Sequence, residues 1–199
     1  MKKLFSKFIW EKKNSAKKIY LTFDDGPTPE ITQWTLNQLK KYNAKATFFC
    51  IGNNIAQFPE IFKAVIHEGH TIGNHTFNHL NGWKTDTATY IENVVMCQNK
   101  ITVFCENNYL FRPPYGRLKR SQSKKLRELG YQIIMWDVLS ADFDTGISEE
   151  KCLQNVLNNV QSGSIIIFHD SVKASKNLKY VLPKTLQFLK ENNFECHSL

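Results

Sequence analysis

Ile19-Tyr20-Leu21-Thr22-Phe23-Asp24-Asp25-Gly26-Pro27 sets an apolar, β-branched and aromatic run directly against two adjacent carboxylates and a turn. The run has the composition of a buried strand, and Gly-Pro closes it. Neighbouring carboxylates are costly to ionise together unless a cation or a proton-transfer role keeps both charges useful. The chain offers partners further on, in His75-Thr76-Phe77-Asn78-His79. Two imidazoles at that spacing and one carboxylate make a ligand set that leaves a position open on a bound metal. One aspartate can then bind the metal while the other handles protons.

Outward from this stretch, strand and helix signals alternate. Pro29 opens a predicted helix carrying Ile31, Trp34, Thr35 and Leu39 at helical spacing. Ala46 to Ile51 reads as a second strand, stopped by Gly52-Asn53. One helix is predicted from Ile55 to Glu68, with Ile55, Phe58, Phe62, Val65 and Ile66 on one face and Gly69 at its end. His70 to Gly73 is a short strand that delivers the histidine pair, and Asp86 caps a long helix through Ile101. Leu110-Phe111 runs into Arg112-Pro113-Pro114-Tyr115-Gly116, whose prolines preclude regular structure. Then come a helix over Ser121 to Leu129, a strand over Gln132 to Trp136 and a helix over Ser148 to Val160. The strand Ser164 to Phe168, a helix over Leu178 to Leu189 and a final strand at Phe194 to Cys196 complete the pattern.

Such alternation implies an α/β fold, a parallel sheet or barrel with helices outside. Asp24/Asp25, His75/His79, Asp137/Asp142 and His169 all fall at or just after predicted strand ends. Parallel barrels carry their sites on that face.

A chain of 199 residues that is 42% hydrophobic suits one globular domain with a substantial core. The net charge of +8 suggests nucleic acid, but Lys2, Lys3, Lys7, Lys12, Lys13, Lys17 and Lys18 put most of the excess before residue 19. No arginine-rich stripe interleaved with aromatics follows, so a nucleic-acid groove is not expected. Cys50, Cys97, Cys105, Cys152 and Cys196 are scattered, which predicts packed, reduced thiols rather than a disulfide scaffold or cysteine-bound zinc. Residues 1–18 are expected to form a basic leader that packs on a domain of residues 19–199 through Phe8, Ile9 and Trp10. The alternative is a short helix with Leu4, Phe5, Phe8 and Ile9 on one face, able to touch an anionic membrane. Lys7 interrupts that run, which is too short for a signal-peptide core or a bilayer span. That points to the cytoplasm, with the cell envelope as the alternative.

Assembled, these residues resemble the polysaccharide deacetylases with a NodB-homology domain, carbohydrate esterase family 4. The resemblance runs from Ile19 to His169 and rests on motifs in the family's order. Thr22-Phe23-Asp24-Asp25-Gly26 is similar to the first, which implies Asp24 as general base and Asp25 as metal ligand. His75-Thr76-Phe77-Asn78-His79 resembles the second, implying His75 and His79 as the other ligands; Leu80 stands where the family usually has proline. Arg112-Pro113-Pro114-Tyr115 resembles the third, so Arg112 orients Asp24 while Tyr115, with Pro114, lies on the oxyanion and substrate side. Asp137 to Phe143 resembles the fourth, with Asp142 tuning a histidine and Phe143 in the place of the usual tryptophan, where it shapes the substrate groove. Ile165-Ile166-Ile167-Phe168-His169 resembles the fifth, with His169 as general acid.

The resemblance implies a distorted parallel (β/α) barrel of about seven strands and metal-dependent removal of N-acetyl groups from amino-sugar polysaccharide or oligosaccharide. Zinc suits two imidazoles and a carboxylate, and cobalt, nickel or iron would also fit. In that chemistry the metal polarises the acetyl oxygen and activates water, Asp24 takes its proton, and His169 protonates the departing amine. Competing expectations are an O-acetyl esterase on a polysaccharide such as acetylxylan, or a non-catalytic carbohydrate-binding relative. The expected partner is an acetylated carbohydrate, with no nucleic acid, no transmembrane segment and a monomeric state. Each motif alone has a plainer reading: Asp-Asp-Gly-Pro a turn, His-x-x-x-His a pair of capping or core histidines, Arg-Pro-Pro-Tyr a polyproline segment. Their joint occurrence at strand ends favours the enzyme. His67, His70 and His197 are expected to be structural, and Trp34, Trp83 and Trp136 to lie in the core or at the rim.

Overall fold

The computed structural model describes residues 7–12, 16–106 and 108–199. Its first half runs β1 (Lys18–Asp24), α1 (Ile31–Lys41), β2 (Thr47–Cys50), α2 (Gly52–Gln57), α3 (Pro59–His67), β3 (Thr71–Asn74) and α4 (Thr87–Thr102). The second runs β4 (Leu110–Phe111), α5 (Arg120–Glu128), β5 (Gln132–Ile133), β6 (Val138–Leu139), α6 (Glu149–Leu157), β7 (Ile165–His169), α7 (Ser175–Glu191) and β8 (Glu195–His197). Every ladder between these strands is parallel, in the order β5-β4-β3-β2-β1-β7-β6. β8 stands off this path and continues it below β2, pairing Lys18 to Tyr20 of β1. Seven strands thus form the curled half-barrel expected of the sequence, with helices outside.

β1 and β7 are near-continuous apolar runs because a parallel sheet covered by helices is buried on both faces. Phe23 stacks between Phe48 and Phe168, with ring centroids 5.0 and 5.8 Å apart, and welds the three central strands together. The register sets Asp24 beside His169, so the first and last motifs meet where these strands end.

The edges β5 and β6 are not laddered to each other, and the leader lies across that gap. Ile9 bridges Ile134 in parallel, its N–H donating to Ile133 at 2.9 Å, and Glu11 bridges Ser164. Phe8 and Trp10 pack on the cluster around Phe111 and Ile133. The alternative amphipathic helix falls partly on Leu4 and Phe5, outside the described residues. Among the described residues, no helix is long and apolar enough to cross a membrane.

Several sequence expectations shift in detail. The helix predicted from Ile55 to Glu68 is two helices, because Phe58 precedes a proline and takes a non-helical φ of −127° and ψ of 56°. The strand predicted from Gln132 to Trp136 keeps only its first two residues, since the Ile134 and Met135 carbonyls turn inward to a buried arginine. Pro114–Gly116 makes one 3₁₀ turn where no regular structure was expected. Asp86 caps α4 through a side-chain bond at 3.0 Å, as expected, and Ser148, read as the first residue of its helix, caps α6 at 3.1 Å instead. The cysteines are unpaired, three of them buried.

Candidate active site

Four strand ends converge on a cavity of about 480 Å³ whose floor holds Asp24, Asp25, His75, His79 and His169. Asp24 ends β1, His75 and His79 follow β3, Arg112 follows β4, and His169 ends β7. Asp137, expected on this face, lies at the opposite end of the sheet. It precedes β6 instead of following it, and its carboxylate accepts from the Ile165 N–H at 2.7 Å and the Ser164 hydroxyl at 2.9 Å.

Arg112 has no exposed surface and crosses the barrel interior. A buried guanidinium must be paired and hydrogen-bonded, and this one is. It donates to Asp24 Oδ1 at 2.8 Å, the Thr22 hydroxyl at 2.7 Å, the Met135 carbonyl at 2.9 Å and the Ile134 carbonyl at 3.3 Å. The Phe49 ring lies 4.2 Å below it. One Asp24 oxygen is therefore held, while Oδ2 faces the His75 ring, 3.8 Å from Nε2.

Asp25, His75 and His79 offer ligand atoms that all lie within 4.8 Å of one another. Asp25 Oδ1 is 3.7 Å from His75 Nε2 and 3.3 Å from His79 Nε2. The Arg112 carbonyl, 2.7 Å from His75 Nδ1, only accepts, so that nitrogen carries the proton and Nε2 presents its lone pair. Burial, joined by the neighbouring His79, pushes His75 down to about 3 despite the pull of Asp25. Burial also lowers His79, against Asp25 and Asp24. Neutral imidazoles are what a metal requires, and two of them with one carboxylate fit a divalent cation.

Asp142, fully buried, holds His169 with both oxygens: the backbone N–H at 2.8 Å and ring Nδ1 at 2.8 Å. The ring's Nε2 is left for the cavity. Burial depresses the His169 imidazole, but the charge and hydrogen bond of Asp142, with Asp24 and Asp25 adding, outweigh it and raise it to about 9. Phe143 packs edge-on against His169, with centroids 5.0 Å apart. Tyr115 is exposed and its ring sits 4.6 Å from that of His79, while the neighbouring Pro114 is buried. Apart from Asp137, the residues expected at the site gather around this cavity, with Arg112 and Asp142 behind Asp24 and His169.

The sequence reading passed over the residues that shape the loops. Asn74 accepts from the Thr76 N–H at 2.9 Å, and Asn93 from the N–H groups of Phe77 and Asn78, each at 2.9 Å. Asn93 lies on α4, so no local motif reveals it. Asp25, Thr76, His79, Tyr115 and Ala141 all have φ between 55° and 81°, so the loops after β1, β3, β4 and β6 each carry a left-handed non-glycine residue. Lys173 and Trp136 also line the cavity. Trp34 packs at the core's edge, and Trp83 is exposed with the Arg117 guanidinium 5.1 Å above it. His70 accepts from the Ala46 N–H, and His197 contacts Glu195; neither approaches the site.

Residues 11–134 match the family model described as Polysaccharide deacetylase. A Bacillus cereus protein named Peptidoglycan-N-acetylglucosamine deacetylase is 34% identical over 186 residues, which is 93% of this chain and 87% of the relative. A second B. cereus protein of the same name is 38% identical over 156 residues, 77% of this chain but only 56% of its own length. The solved structure of the Bc1960 peptidoglycan N-acetylglucosamine deacetylase superposes with a TM-score of 0.91 at 32% identity, covering 97% of this chain and 91% of that one.

Proposed function

The chain belongs to the polysaccharide deacetylase family, and on that footing we propose that it is a metal-dependent hydrolase removing N-acetyl groups from an N-acetylglucosamine-containing glycan. The observation that carries this reading is the Asp25–His75–His79 donor set lying between two pre-paired groups, Asp24 with Arg112 and His169 with Asp142. A divalent cation held by the three donors, with zinc the best match to them, supplies Lewis acidity toward the acetyl carbonyl and the attacking water.

The remaining chemistry falls to the chain's own side chains. Asp24 Oδ2, its partner oxygen pinned by Arg112, takes the water's proton as the oxygen attacks the acetyl carbon. The Tyr115 N–H, in the strained Pro114–Gly116 turn, is offered to the carbonyl oxygen as charge builds there. His169 delivers a proton from Nε2 to the departing nitrogen, and Asp142 holds the charged imidazole until then. Burial of Arg112 and Asp142 fixes both partners before substrate arrives, so little reorganisation remains for the reaction itself. Trp136, Leu139 and Phe143 furnish the apolar wall against which the acetyl methyl and sugar ring rest.

Acetate release from chito-oligosaccharides, peptidoglycan fragments and acetylated xylan, measured after zinc reconstitution, tests this reading. Release is expected from the first two. Turnover confined to acetylated xylan would replace N-deacetylation by ester hydrolysis, and no release from any of them by zinc-loaded protein sinks the assignment. His75→Ala is expected to lose both zinc and turnover while the fold, read by circular dichroism, persists.

A further inference from the structure

Asp170 follows His169 and has no part in the chemistry above, yet it is fully buried. Among the described residues no cation pairs with it. Burial raises its carboxyl to about 7, against the hydrogen bond from Thr32, a measure of how costly the charge is in this place. Such a group persists where its hydrogen bonds hold something, and both its oxygens are engaged. Oδ1 accepts from the Gly26 N–H at 3.1 Å, and Oδ2 accepts from the Thr32 hydroxyl at 2.5 Å. The Thr28 N–H donates to that same hydroxyl at 2.7 Å, which turns its proton toward Asp170. Asp170 also donates its own N–H to the Asp24 carbonyl at 3.1 Å.

The segment so gripped is the turn that carries Asp25. A Cβ on Gly26 would lie 2.1 Å from Asp170 Oδ2, so only glycine lets the carboxylate approach. Asp25 itself has φ of 81°, a conformation a non-glycine residue keeps only where its surroundings impose it. Asn54 donates to the Asp25 carbonyl at 2.8 Å and Asp170 accepts from the Gly26 N–H at 3.1 Å, so the two side chains grip opposite sides of the single Asp25–Gly26 peptide.

We infer that Asp170 is a positioning residue, which straps the Asp25–Gly26 turn to the end of β7 and to α1 and thereby sets how Asp25 is presented to the metal. The inference rests on the reading of Asp25 as a ligand. It ties the ligand-bearing turn to the strand that carries His169, so the two halves of the site keep one spacing.

Zinc affinity by chelator competition, kcat at saturating zinc and thermal stability of the zinc-free protein would be measured for wild type, Thr32→Val, Asp170→Asn and Asp170→Ala. Asp170→Ala is expected to weaken zinc binding about 10–100-fold, the usual range for a group that orients a ligand. Asp170→Asn offers one oxygen where two donors converge and should fall between Ala and wild type. Thr32→Val removes one hydroxyl that does not line the cavity and should weaken zinc severalfold while leaving KM unchanged, which a merely structural role would not produce. Thr32→Val and Asp170→Asn proteins that fold and bind zinc as wild type does overturn the inference, even if Asp170→Ala fails to fold. Wild-type protein that takes up no zinc removes the Asp25 reading and this inference with it, an outcome visible before any variant is compared.

Discussion

Two ion pairs flank the ligand set, and they differ in depth. Arg112–Asp24 lies inside the barrel with neither side chain more than 4% exposed, whereas His169 keeps 13% of its side chain open beside a fully buried Asp142. Both place a cation against a carboxylate at 2.8 Å, but of the two cations only the imidazole can give up its proton near neutral pH. Arg112 cannot be deprotonated, so its pair is a fixed charge arrangement. His169 titrates, so its pair is a proton reservoir. The cation of the deep pair only holds its carboxylate in place, whereas the cation of the shallow pair can itself release a proton.

Removing the carboxylate of the deep pair tests this division most severely. Asp24→Asn is expected to lower kcat by about 10²–10⁴-fold, the range of a lost general base, while zinc stoichiometry stays unchanged. Turnover within a few fold of wild type would take the base role from Asp24. Arg112→Met leaves Asp24 buried without a partner and should cost about 3–5 kcal/mol of stability, read by urea denaturation. An Arg112→Met protein as stable as wild type would dissolve the scaffold half of the comparison.

The shallow pair should answer to pH instead. The folded pKa of His169 is raised from 6.5 to about 9, so its protonated form adds stability fully present below 6.5 and lost as pH rises through 9. A cation beside Asp25 offsets that carboxylate's share of the rise, so the metal-loaded enzyme should lose activity at a somewhat lower alkaline pH. Asp142→Asn removes the strongest upward influence and should move the alkaline limb of the kcat profile to lower pH and lower the melting temperature at pH 6, where the pair's stabilisation is fully present, with a smaller difference at alkaline pH. A limb that does not move would assign the proton donor elsewhere. The smallest effect is expected from the leader: Lys7→Ala and Lys12→Ala should change turnover of a neutral oligosaccharide by less than about twofold, because solvated surface charges act weakly across a Debye length. A larger loss would bring the leader into the site.

Much of this was legible in the chain because strand ends are local signals. An apolar run followed by Asp24-Asp25-Gly26, or by His169, shows where a side chain leaves the sheet, and a parallel topology brings such ends to one face. The break at Phe58 was readable from Pro59 but yielded to the helical spacing around it. Asp137 was misplaced for a different reason. It lies between Trp136 and the two-residue strand β6, and strands that short leave no periodicity to say which end a residue occupies.

Sequence by itself determined the chemistry: which residues are carboxylates and imidazoles, how they are spaced, and that strands deliver them. Tertiary structure alone decided their states. Only the fold shows that Arg112 finds two carbonyls, a hydroxyl and a carboxylate inside the barrel, or that Asn93 shapes a loop from another element. Only the fold shows that Asp170 grips a turn 144 residues away in the chain. The reason is physical. Pattern and propensity are properties of neighbours along the chain, whereas desolvation and hydrogen-bond satisfaction depend on neighbours in space, and those set protonation and position.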